Sequence, residues 1–519
     1  MNSLIKNAES NKEHKLFQRY FNKAFHYQSQ NNMKLAIEMY DKALCHNNKH
    51  LPTLQVIGYL LQQSGQYEKA LAYYTRATAL HSQSATLQNA VGICFEHCQN
   101  WQSAKTHFLN AIELRQDYAE ALNNLGNICR KMGDYQQAEF NLLRSLRLRI
   151  NVPTLINLGL LMAEMHNYSQ AHSFYDHALR LQPFNNQIKW HKALLLLSEG
   201  EFKQGWELYT VNSQTSNNIH QFAPVDVSNP QTQREVFFQN NIYIKGKQSI
   251  NDEIMFASCL PEILSQAKSC YIECDDRLLP LFQRSFQDAT IISKSEFSFE
   301  SEHTMPKDIN YTTSLVNCAR HLRQSFSDFP EYNQFLKASE TNTQHWRHRY
   351  STIGNSLKVG IAWRSSNSED SVTHQGLLRN WEAIFNETNC HLINLQYGQV
   401  NAELEQFSLP IKQWSDCDYQ YNIDQLASQI TALDLVITTN NLVAHLAGAL
   451  GKSVWILLPY ATNWRWFNGR NPCPWYASAK VFKQNSPDDW ASLYQEINAE
   501  LKDLCEKNGS TYTQLLSVS

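Results

Sequence analysis

Small and aromatic residues recur at a nearly constant interval from about Phe21 to Tyr209. Each copy of the pattern begins with Ala or Gly, followed by a second small residue after 12 positions, an aromatic residue or Leu after 16, and Ala or Ser after 19. Five copies and a weaker sixth have their second small residue at Ala36, Ala70, Ala104, Ala138, Ala171 and Gly205. Successive copies are 34, 34, 34, 33 and 34 residues apart. This pattern predicts helical hairpins whose helices cross closely at the small residues.

A period of about 34 residues is the length of a tetratricopeptide repeat. Each such hairpin leaves an apolar face that only the next hairpin covers, so the array forms one continuous core, an α-solenoid. A generic helical bundle, which is the alternative, does not explain the near-equal spacings. Repeat arrays of this kind usually bind an extended or helical polypeptide. We therefore predict that residues 1–211 form a repeat domain that holds a protein or peptide partner.

The pattern changes after the repeats. Residues 212–235 are polar and aperiodic, which predicts a linker. Residues 300–356 carry little strand signal and are predicted to contain the crossover between two sheets. Short apolar strands alternating with helices are typical of parallel sheets covered on both faces. We predict two doubly wound domains, at 236–355 and 356–519. Their strands are predicted at 241–246, 269–275, 289–293, 357–363, 390–397, 433–439, 452–459 and 478–484.

Composition excludes some functional classes. The chain has 45 Lys and Arg against 48 Asp and Glu, so it has no overall attraction for nucleic acid or an anionic membrane. It contains no apolar run long enough to span a membrane and no apolar N-terminal run typical of a signal peptide. Its 12 cysteines are scattered, without the spacing of a zinc site. We expect a cytoplasmic protein with no metal, cofactor, nucleic-acid partner or membrane span.

The segment 433–484 reads LDLVITTNNLVAHLAGALGKSVWILLPYATNWRWFNGRNPCPWYASAKVFKQ. It resembles the C-terminal domain of bacterial tetratricopeptide-repeat glycosyltransferases, which are related to the heptosyltransferases. The segment KGKQSINDEIMFASCLPEI at 245–263 resembles the loop GEQGLGDEIMFASLLPEL of that family, and residues 271–286 and 358–366 also match. The resemblance implies the GT-B fold, in which two Rossmann-like domains bind donor and acceptor in the cleft between them without a metal.

The resemblance and the chemistry of the residues give a candidate donor site. Asn440 can cap the helix after strand 433–439, whose free amides suit a diphosphate. His445, four residues after Asn441, can donate to a phosphate oxygen or can pack against the Trp-Arg-Trp segment. Arg364 can neutralise the leaving nucleotide or can form a surface ion pair. The predicted donor-binding residues are Arg364, Gln396, Asn440, Asn441, His445, Leu446 and Gly448.

Gln396 and a group of aromatic residues have two interpretations each, whereas Gly448 has one. Gln396 ends a strand at the same sheet edge, where it reads the base or ribose or is structural. Gly448 lets its helix approach the neighbouring sheet closely. A group of aromatic residues either lines the sugar cleft or packs between the domains, and consists of Trp464, Trp466, Trp475 and Tyr476.

Asp252 is the predicted catalytic base. In the related heptosyltransferases the Asp of the corresponding loop is taken to deprotonate the acceptor, and sugar transfer with inversion needs such a base. The alternative is that Asp252 caps the helix that follows it. Two family features are absent: the loop glycines are replaced by Ser249 and Asn251, and an Asp-Thr pair is replaced by Asn440 and Asn441. Glycine permits a positive φ and close approach of substrate, so these changes point to an altered donor or a weakened enzyme.

These observations predict a cytoplasmic protein glycosyltransferase. The repeats hold a protein acceptor, and the α/β half transfers a sugar to it from a nucleotide-sugar. The alternative is a non-catalytic adaptor whose glycosyltransferase domain is degenerate. The loop substitutions favour the adaptor, whereas the presence of Asp252, Arg364 and His445 favours the enzyme.

Overall fold

The chain forms two compact units, Met1–Pro183 and Phe184–Ser519. The computed structural model describes residues 2–209, 237, 240–246, 249–295, 309, 311–331, 334–364, 378–398, 400–407, 410–417, 421–487 and 489–517. For residues 2–10 and 508–517 it describes the backbone alone. The predicted linker at 212–235 lies outside the described residues.

The first unit is built from paired helices, which confirms the predicted repeat array. Each pair corresponds to one copy of the sequence pattern, and the small and aromatic positions of the pattern are buried. The helices are α1 Asn2–Ser29, α2 Met33–His46, α3 Leu51–Gln63, α4 Tyr67–Leu80, α5 Ala85–His97, α6 Trp101–Leu114, α7 Ala119–Lys131, α8 Tyr135–Leu148, α9 Val152–Glu164 and α10 Tyr168–Leu181.

Within four of the hairpins a glycine lies directly against a large side chain of the second helix, which is an aromatic ring in three of them. A methyl carbon at Gly92 would lie 2.6 Å from the ring of Phe108, and one at Gly159 would lie 2.5 Å from the ring of Tyr175. The same approach joins the pairs Gly58–Tyr74 and Gly126–Leu142. The ring therefore occupies the space that a side chain would fill, which explains the 16-residue separation between these positions.

The turn of each hairpin is also periodic. Its residue in the left-handed backbone region is, in successive repeats, Asn31, Gly65, Gln99, Gly133 and His166. The next residue begins the second helix, and in four of the five hairpins its side chain accepts a hydrogen bond from a first-turn amide. These capping residues are Asn32, Asn100, Asp134 and Asn167. These four hairpins are thus closed by the same local chemistry, which satisfies an otherwise free amide.

The sixth hairpin belongs to the second unit. It consists of α11 Asn186–Glu199 and α12 Phe202–Tyr209. Trp206 is fully buried, and its indole N–H donates to the carbonyl of Arg323 at 2.9 Å. The ring of Phe202 lies 5.0 Å from that of Phe326. These contacts place the predicted sixth copy with the α/β residues rather than with the other repeats. The predicted domain boundaries at 211 and 235 stay predictions.

A four-stranded parallel sheet follows. Its strands are β1 Asn241–Lys245, β2 Ser269–Cys274, β3 Thr290–Ser293 and β4 Tyr311–Ser314, in the order β3-β2-β1-β4. The strands are parallel, with Ile242 opposite both Cys270 and Tyr311. The helices that accompany this sheet in the chain are α13 Ile250–Phe256, α14 Leu260–Leu264, α15 Leu279–Ser285, α16 Leu315–Leu322 and α17 Glu340–Ser351.

A six-stranded parallel sheet completes the second unit. Its strands are β5 Leu357–Ala362, β6 Cys390–Asn394, β7 Ile411–Lys412, β8 Leu435–Thr439, β9 Val454–Leu458 and β10 Ala479–Lys483, in the order β10-β9-β8-β5-β6-β7. Strands β8 and β9 are buried along their whole length. The remaining helices are α18 Glu382–Phe385, α19 Asn401–Leu404, α20 Ile423–Ala432, α21 Leu442–Ala449 and α22 Trp490–Ser517.

The eight predicted strands are confirmed, and two further strands were not predicted. Strand β4, Tyr311–Ser314, pairs with β1, and the chain then passes to the second sheet at β5, so residues 300–356 contain the predicted crossover and also a strand that was not predicted. Its sequence YTTS has only one fully buried residue and therefore lacks an apolar run. Strand β7 has two residues at the sheet edge, too few to give a periodic signal.

We predict that Gly92→Ala destabilises the first unit. The added methyl overlaps the ring of Phe108, and overpacking of this kind costs about 1–3 kcal/mol, partly offset by the better helix propensity of Ala. Thermal and urea unfolding followed by circular dichroism measure the effect. The control is Thr86→Ala, at an exposed position of the same helix. An unchanged midpoint for Gly92→Ala would show that the contact is not close in solution.

The position of the sixth hairpin gives a prediction about fragments. A fragment of residues 184–519 should be soluble and unfold cooperatively, and a fragment of residues 1–183 should do the same. A fragment of residues 236–519 lacks α11 and α12, so the partners of Trp206 become exposed to water, and we expect aggregation. Size-exclusion chromatography and calorimetry compare the three. Equal behaviour of the 184–519 and 236–519 fragments would contradict the assignment of the sixth hairpin.

Candidate functional site

The order in which the chain adds strands to the six-stranded sheet reverses between β5 and β8. The chain passes outward from β5 through β6 to β7, and then places β8, β9 and β10 on the other side of β5. This is the strand order of doubly wound sheets, which bind ligands outside the carboxyl ends of the strands at the point of reversal. In this sheet that point lies beyond Ala362 and Thr439.

Three of the predicted donor-binding residues meet at this point. Gln396 accepts a hydrogen bond through Oε1 from the backbone N–H of Arg364 at 2.9 Å. Asn441 donates from Nδ2 to the carbonyl oxygen of Arg364 at 3.2 Å. The three residues follow three different strands, β5, β6 and β8. Gln396 is 1% exposed and thus has the structural role that was one of its two interpretations, while its role in ligand binding stays a prediction.

The guanidinium group of Arg364 forms an ion pair at the edge of the crevice. Its Nη1 lies 2.6 Å from Oε1 of Glu403, and both side chains are about one third exposed. Nearby Gly398 has φ 87°, a conformation that favours glycine. Because the pair is partly solvated, a competing anion can exchange with Glu403 at modest cost.

The prediction that Asn440 caps helix α21 is wrong, because the cap is Asn441. Asn441 Oδ1 accepts hydrogen bonds from the amides of Val443 and Ala444 at 2.9 and 3.3 Å. Asn440 instead accepts from the indole N–H of Trp466 at 2.8 Å. The expectation that the first-turn amides of α21 are free for a diphosphate is therefore wrong for these two amides.

His445 packs in the interior, as in the second of its two interpretations. Its ring is 1% exposed, stacks on that of Trp466 at 5.1 Å, and has Nδ1 2.8 Å from the hydroxyl of Tyr476. Burial and the nearby charge of Arg465 lower the pKa of His445 to about 3. The imidazole is therefore neutral near pH 7, so it supplies no positive charge to a phosphate, and its role in donor binding stays a prediction.

The other predicted residues of α21 are also core residues. Leu446 is fully buried, and a methyl carbon at Gly448 would lie 2.4 Å from the ring of Tyr476. The missing side chain at Gly448 thus leaves space for the ring of Tyr476, whereas we expected it to allow close approach to the neighbouring sheet. The four aromatic residues singled out in the sequence pack in the interior, with exposures of 5%, 1%, 4% and 2% for Trp464, Trp466, Trp475 and Tyr476.

Asp252 lies in the first turn of α13 and is 8% exposed. The helix cap is Ser249, whose hydroxyl accepts a hydrogen bond from the amide of Asp252 at 3.3 Å, so the capping interpretation of Asp252 is wrong. The carboxylate of Asp252 instead forms an ion pair with Arg465, with Oδ1 2.7 Å from Nε and 2.6 Å from Nη2. This pair joins the helix after β1 to the segment after β9.

Ser249 and Asn251, at positions where the resembling sequences have glycine, adopt backbone conformations that do not require glycine. Ser249 has φ −65° and ψ 157°, an extended conformation that any residue adopts, and Asn251 lies within α13. Neither position has the positive φ that would favour glycine. Lys247 and Gln248 lie outside the described residues.

Glu253 is a buried carboxylate that the sequence analysis missed. Its side chain is fully buried, accepts a hydrogen bond from the amide of Asp275 at 2.8 Å, and forms an ion pair with Lys294. Burial raises the pKa of Glu253 to about 7, although Lys294 and the Asp275 amide oppose the shift. Glu253 thereby links the helix after β1 to the residues that follow β2 and β3.

Arg465 was also not among the predicted site residues, although a signal was present. It stands between two tryptophans in the segment that resembles the glycosyltransferases, where only the aromatic residues were singled out. Nothing in the local pattern marks Glu253, because an Asp-Glu pair at the start of a helix is common.

Together, fold and site define a helical-repeat protein that carries a doubly wound α/β unit. Two family models, both described as tetratricopeptide repeat, match residues 51–83 and 83–151. Residues 51–151 are therefore tetratricopeptide repeats, the class of surface that binds polypeptides.

Among individual proteins, the chain is similar to protein FlbA of Caulobacter vibrioides. The two are 26% identical over 331 residues, which are 61% of this chain and 55% of that protein. The chain thus spans about half the length of the curated relative that it matches.

Two solved structures are also similar to part of this chain. A tetratricopeptide repeat protein from Parabacteroides merdae is 16% identical, with a TM-score of 0.35, and the match covers 37% of this chain and 77% of that one. PilF of Pseudomonas aeruginosa is 20% identical, with a TM-score of 0.31, and the match covers 36% of this chain and 85% of that one.

Within the described ranges, no group of three or more His, Cys, Asp or Glu side chains is placed to hold a metal ion. None of the helices described for this chain is long and apolar enough to cross a membrane.

The buried carboxyl of Glu253 predicts a pH effect on stability. Its pKa is about 7 when folded against 4.5 for an ordinary Glu, so the folded state holds this proton more tightly. The resulting stabilisation is complete below pH 4.5 and is lost as the pH rises through 7. Relative to Glu253→Gln, the wild-type free energy of unfolding should fall by roughly 3 kcal/mol across this window.

Urea unfolding at a series of pH values measures this difference. Glu405→Gln, at an exposed position, controls for the loss of one carboxylate. If wild type and Glu253→Gln lose stability in parallel as the pH rises, Glu253 does not titrate in this range.

Proposed function

We propose that this protein binds a polypeptide through its repeats and transfers a sugar to it from a nucleotide-sugar, in the cytoplasm and without a metal. The α/β unit would then be a GT-B glycosyltransferase, with one lobe on each parallel sheet. The observation that carries the proposal is the hydrogen-bonded cluster of Arg364, Gln396 and Asn441 at the reversal point of the six-stranded sheet. A doubly wound sheet binds nucleotides at this point.

The donor diphosphate would lie beside Arg364. A guanidinium group binds phosphate oxygens with paired hydrogen bonds and offsets the charge that develops as the nucleotide departs. Glu403 holds the group in the absence of donor, and the partly exposed pair leaves room for exchange. Gln396 and Asn441 hold the backbone N–H and carbonyl of Arg364 at the end of β5 before the donor binds.

Asp252 would serve the acceptor. As the acceptor oxygen forms its bond to the anomeric carbon, its proton passes to the carboxylate of Asp252. The bond from the anomeric carbon to the phosphate oxygen breaks, and the nucleoside diphosphate leaves with the bonding electrons. Attack from the face opposite the leaving group inverts the anomeric configuration.

The two parts of the site are connected by protein contacts. Arg465 pairs with Asp252, and the adjacent Trp466 donates to Asn440 beside the reversal point. The candidate base and the candidate donor crevice therefore share the segment after β9. This connection supports one site for both substrates.

A second candidate function is a non-catalytic adaptor. The observation in its favour is that the polar groups of the site already have partners within the protein: Asp252 with Arg465, His445 with Tyr476, and Asn441 with the first turn of α21. In an adaptor, the repeats would bind a polypeptide and the α/β unit would serve as a second docking surface.

Two substitutions separate donor binding from chemistry. Asp252→Asn should leave nucleotide-sugar affinity nearly unchanged and lower turnover by about 10²–10⁴, the usual contribution of a general base. Arg364→Met should weaken nucleotide binding by about 1.5–3 kcal/mol, because a charge-assisted hydrogen bond is lost. Asp288→Asn, at an exposed position, is the control for the first substitution.

Binding of UDP-, ADP-, GDP- and CMP-sugars is measured by calorimetry. Turnover is measured as radiolabelled sugar transferred to protein, with an extract of the source organism as acceptor. If no nucleotide-sugar binds and no label is transferred by the wild type, the adaptor is the better account. Transfer that survives Asp252→Asn undiminished would remove Asp252 from the mechanism and leave the transferase standing.

A further inference from the structure

The two oxygens of the Asp252 carboxylate have unequal surroundings. Oδ1 accepts a hydrogen bond from Nε of Arg465 at 2.7 Å, and Nη2 of the same guanidinium group lies 2.6 Å from it as an ion pair. Oδ2 accepts one hydrogen bond, from the hydroxyl of Ser249 at 3.0 Å. A carboxylate oxygen has two acceptor positions, so among the described residues the guanidinium group covers Oδ1, while one position on Oδ2 is left.

We propose that Arg465 is the positioning residue for Asp252, and that Oδ2 is the atom that takes the acceptor's proton. This inference rests on the proposed function. Arg465 restrains the rotation of the carboxylate, because its Nε donates to Oδ1 and its Nη2 lies close to the same oxygen. Ser249 then determines which lone pair of Oδ2 remains for the acceptor hydroxyl.

Arg465 is itself held from three sides. Its Nη1 donates to Oδ1 of Asn463 at 2.9 Å, and its guanidinium carbon lies 5.1 Å from the ring centre of Trp464. Its side chain is 19% exposed, so the cation–π and ion-pair contacts are largely shielded from water. A guanidinium group with this many fixed partners has little freedom to turn.

The last repeat hairpin supports this arrangement. The ring of Trp464 lies edge-on against that of Trp206 at 5.9 Å, and against that of Tyr209 at 6.0 Å. Both residues belong to α12. The contacts form a continuous series from α12 through Trp464 and Arg465 to Asp252. A displacement of α12 would therefore move the carboxylate.

The backbone of this segment is unusual, which argues that its geometry is imposed by packing. Phe467, Asn468 and Gly469 are three successive residues with φ of 44°, 56° and 81°. The left-handed region is costly for a bulky residue such as Phe467. Its ring is held among those of Phe202 and Phe329, at 5.6 and 5.8 Å. One of these contacts again comes from α12.

The test compares Arg465→Met and Arg465→Lys in the full chain, in the label-transfer assay at saturating donor. Loss of the guanidinium group displaces the base, and a misplacement of about 1 Å lowers turnover by about 100-fold. We expect Arg465→Met to lower the transfer rate about 10- to 100-fold with an unchanged KM for donor. Arg465→Lys should recover part of the rate, since it restores the charge.

Three further variants make the test more specific. Arg470→Met is the matched control, because Arg470 lies in the same segment over the ring of Phe326 and has no contact with Asp252. Combining Arg465→Met with Asp252→Asn should lower the rate no further than Asp252→Asn alone. Trp464→Leu should reduce the rate less than Arg465→Met, by loosening Arg465.

The outcomes distinguish this inference from the proposed function. Absence of transfer by the wild type overturns both. Wild-type transfer that is undiminished in Arg465→Met overturns the inference alone. An increase in donor KM, or a further loss when Arg465→Met is added to Asp252→Asn, would assign Arg465 to a separate task and also overturn it.

Discussion

The candidate site of this α/β unit depends on the burial of polar side chains at the carboxyl edges of the two sheets. Glu253, Gln396, Asn441 and His445 are all at most 1% exposed. A buried polar group without a partner costs about 1–3 kcal/mol, and an unpaired charge costs more. Each of these groups therefore has to meet a partner of defined geometry, and those partners fix the loops that follow the strands.

This constraint explains why so much of the candidate site already has hydrogen bonds within the protein. Groups that are fixed before substrate binds need no reorganisation during the reaction, which is the basis of electrostatic catalysis. The same set of hydrogen bonds would also be present if these sheet edges had only a structural role. The difference lies in exposure: Arg364 is about one third exposed and paired with an equally exposed Glu403, whereas His445 is sealed among aromatic rings. Arg364 and Asp252 are consequently the residues on which the proposed function depends.

Periodic features were predictable from the sequence, and long-range partners were not. The repeats were found because the glycine–aromatic contact recurs every 34 residues or so, and strands such as β8 were found because both of their faces are buried. Strand β4 was missed because its polar sequence is stabilised by pairing with β1. The helix cap was placed one residue early because Asn440 and Asn441 are chemically identical. Their partners in the structure distinguish them: Asn441 accepts from the first-turn amides, and Asn440 accepts from the indole of Trp466, which lies 26 residues later in the chain.

The replaced loop glycines illustrate how local chemistry alters the argument about activity. Viewed in sequence alone, Ser249 and Asn251 weaken the case for an enzyme, since glycine is the residue for positive φ. In the structure Ser249 is extended and caps α13, and its hydroxyl also donates to Oδ2 of Asp252. A glycine at this position would provide neither contact. The substitution therefore adds an orienting group to the candidate base, and it is no evidence that the loop has lost its function.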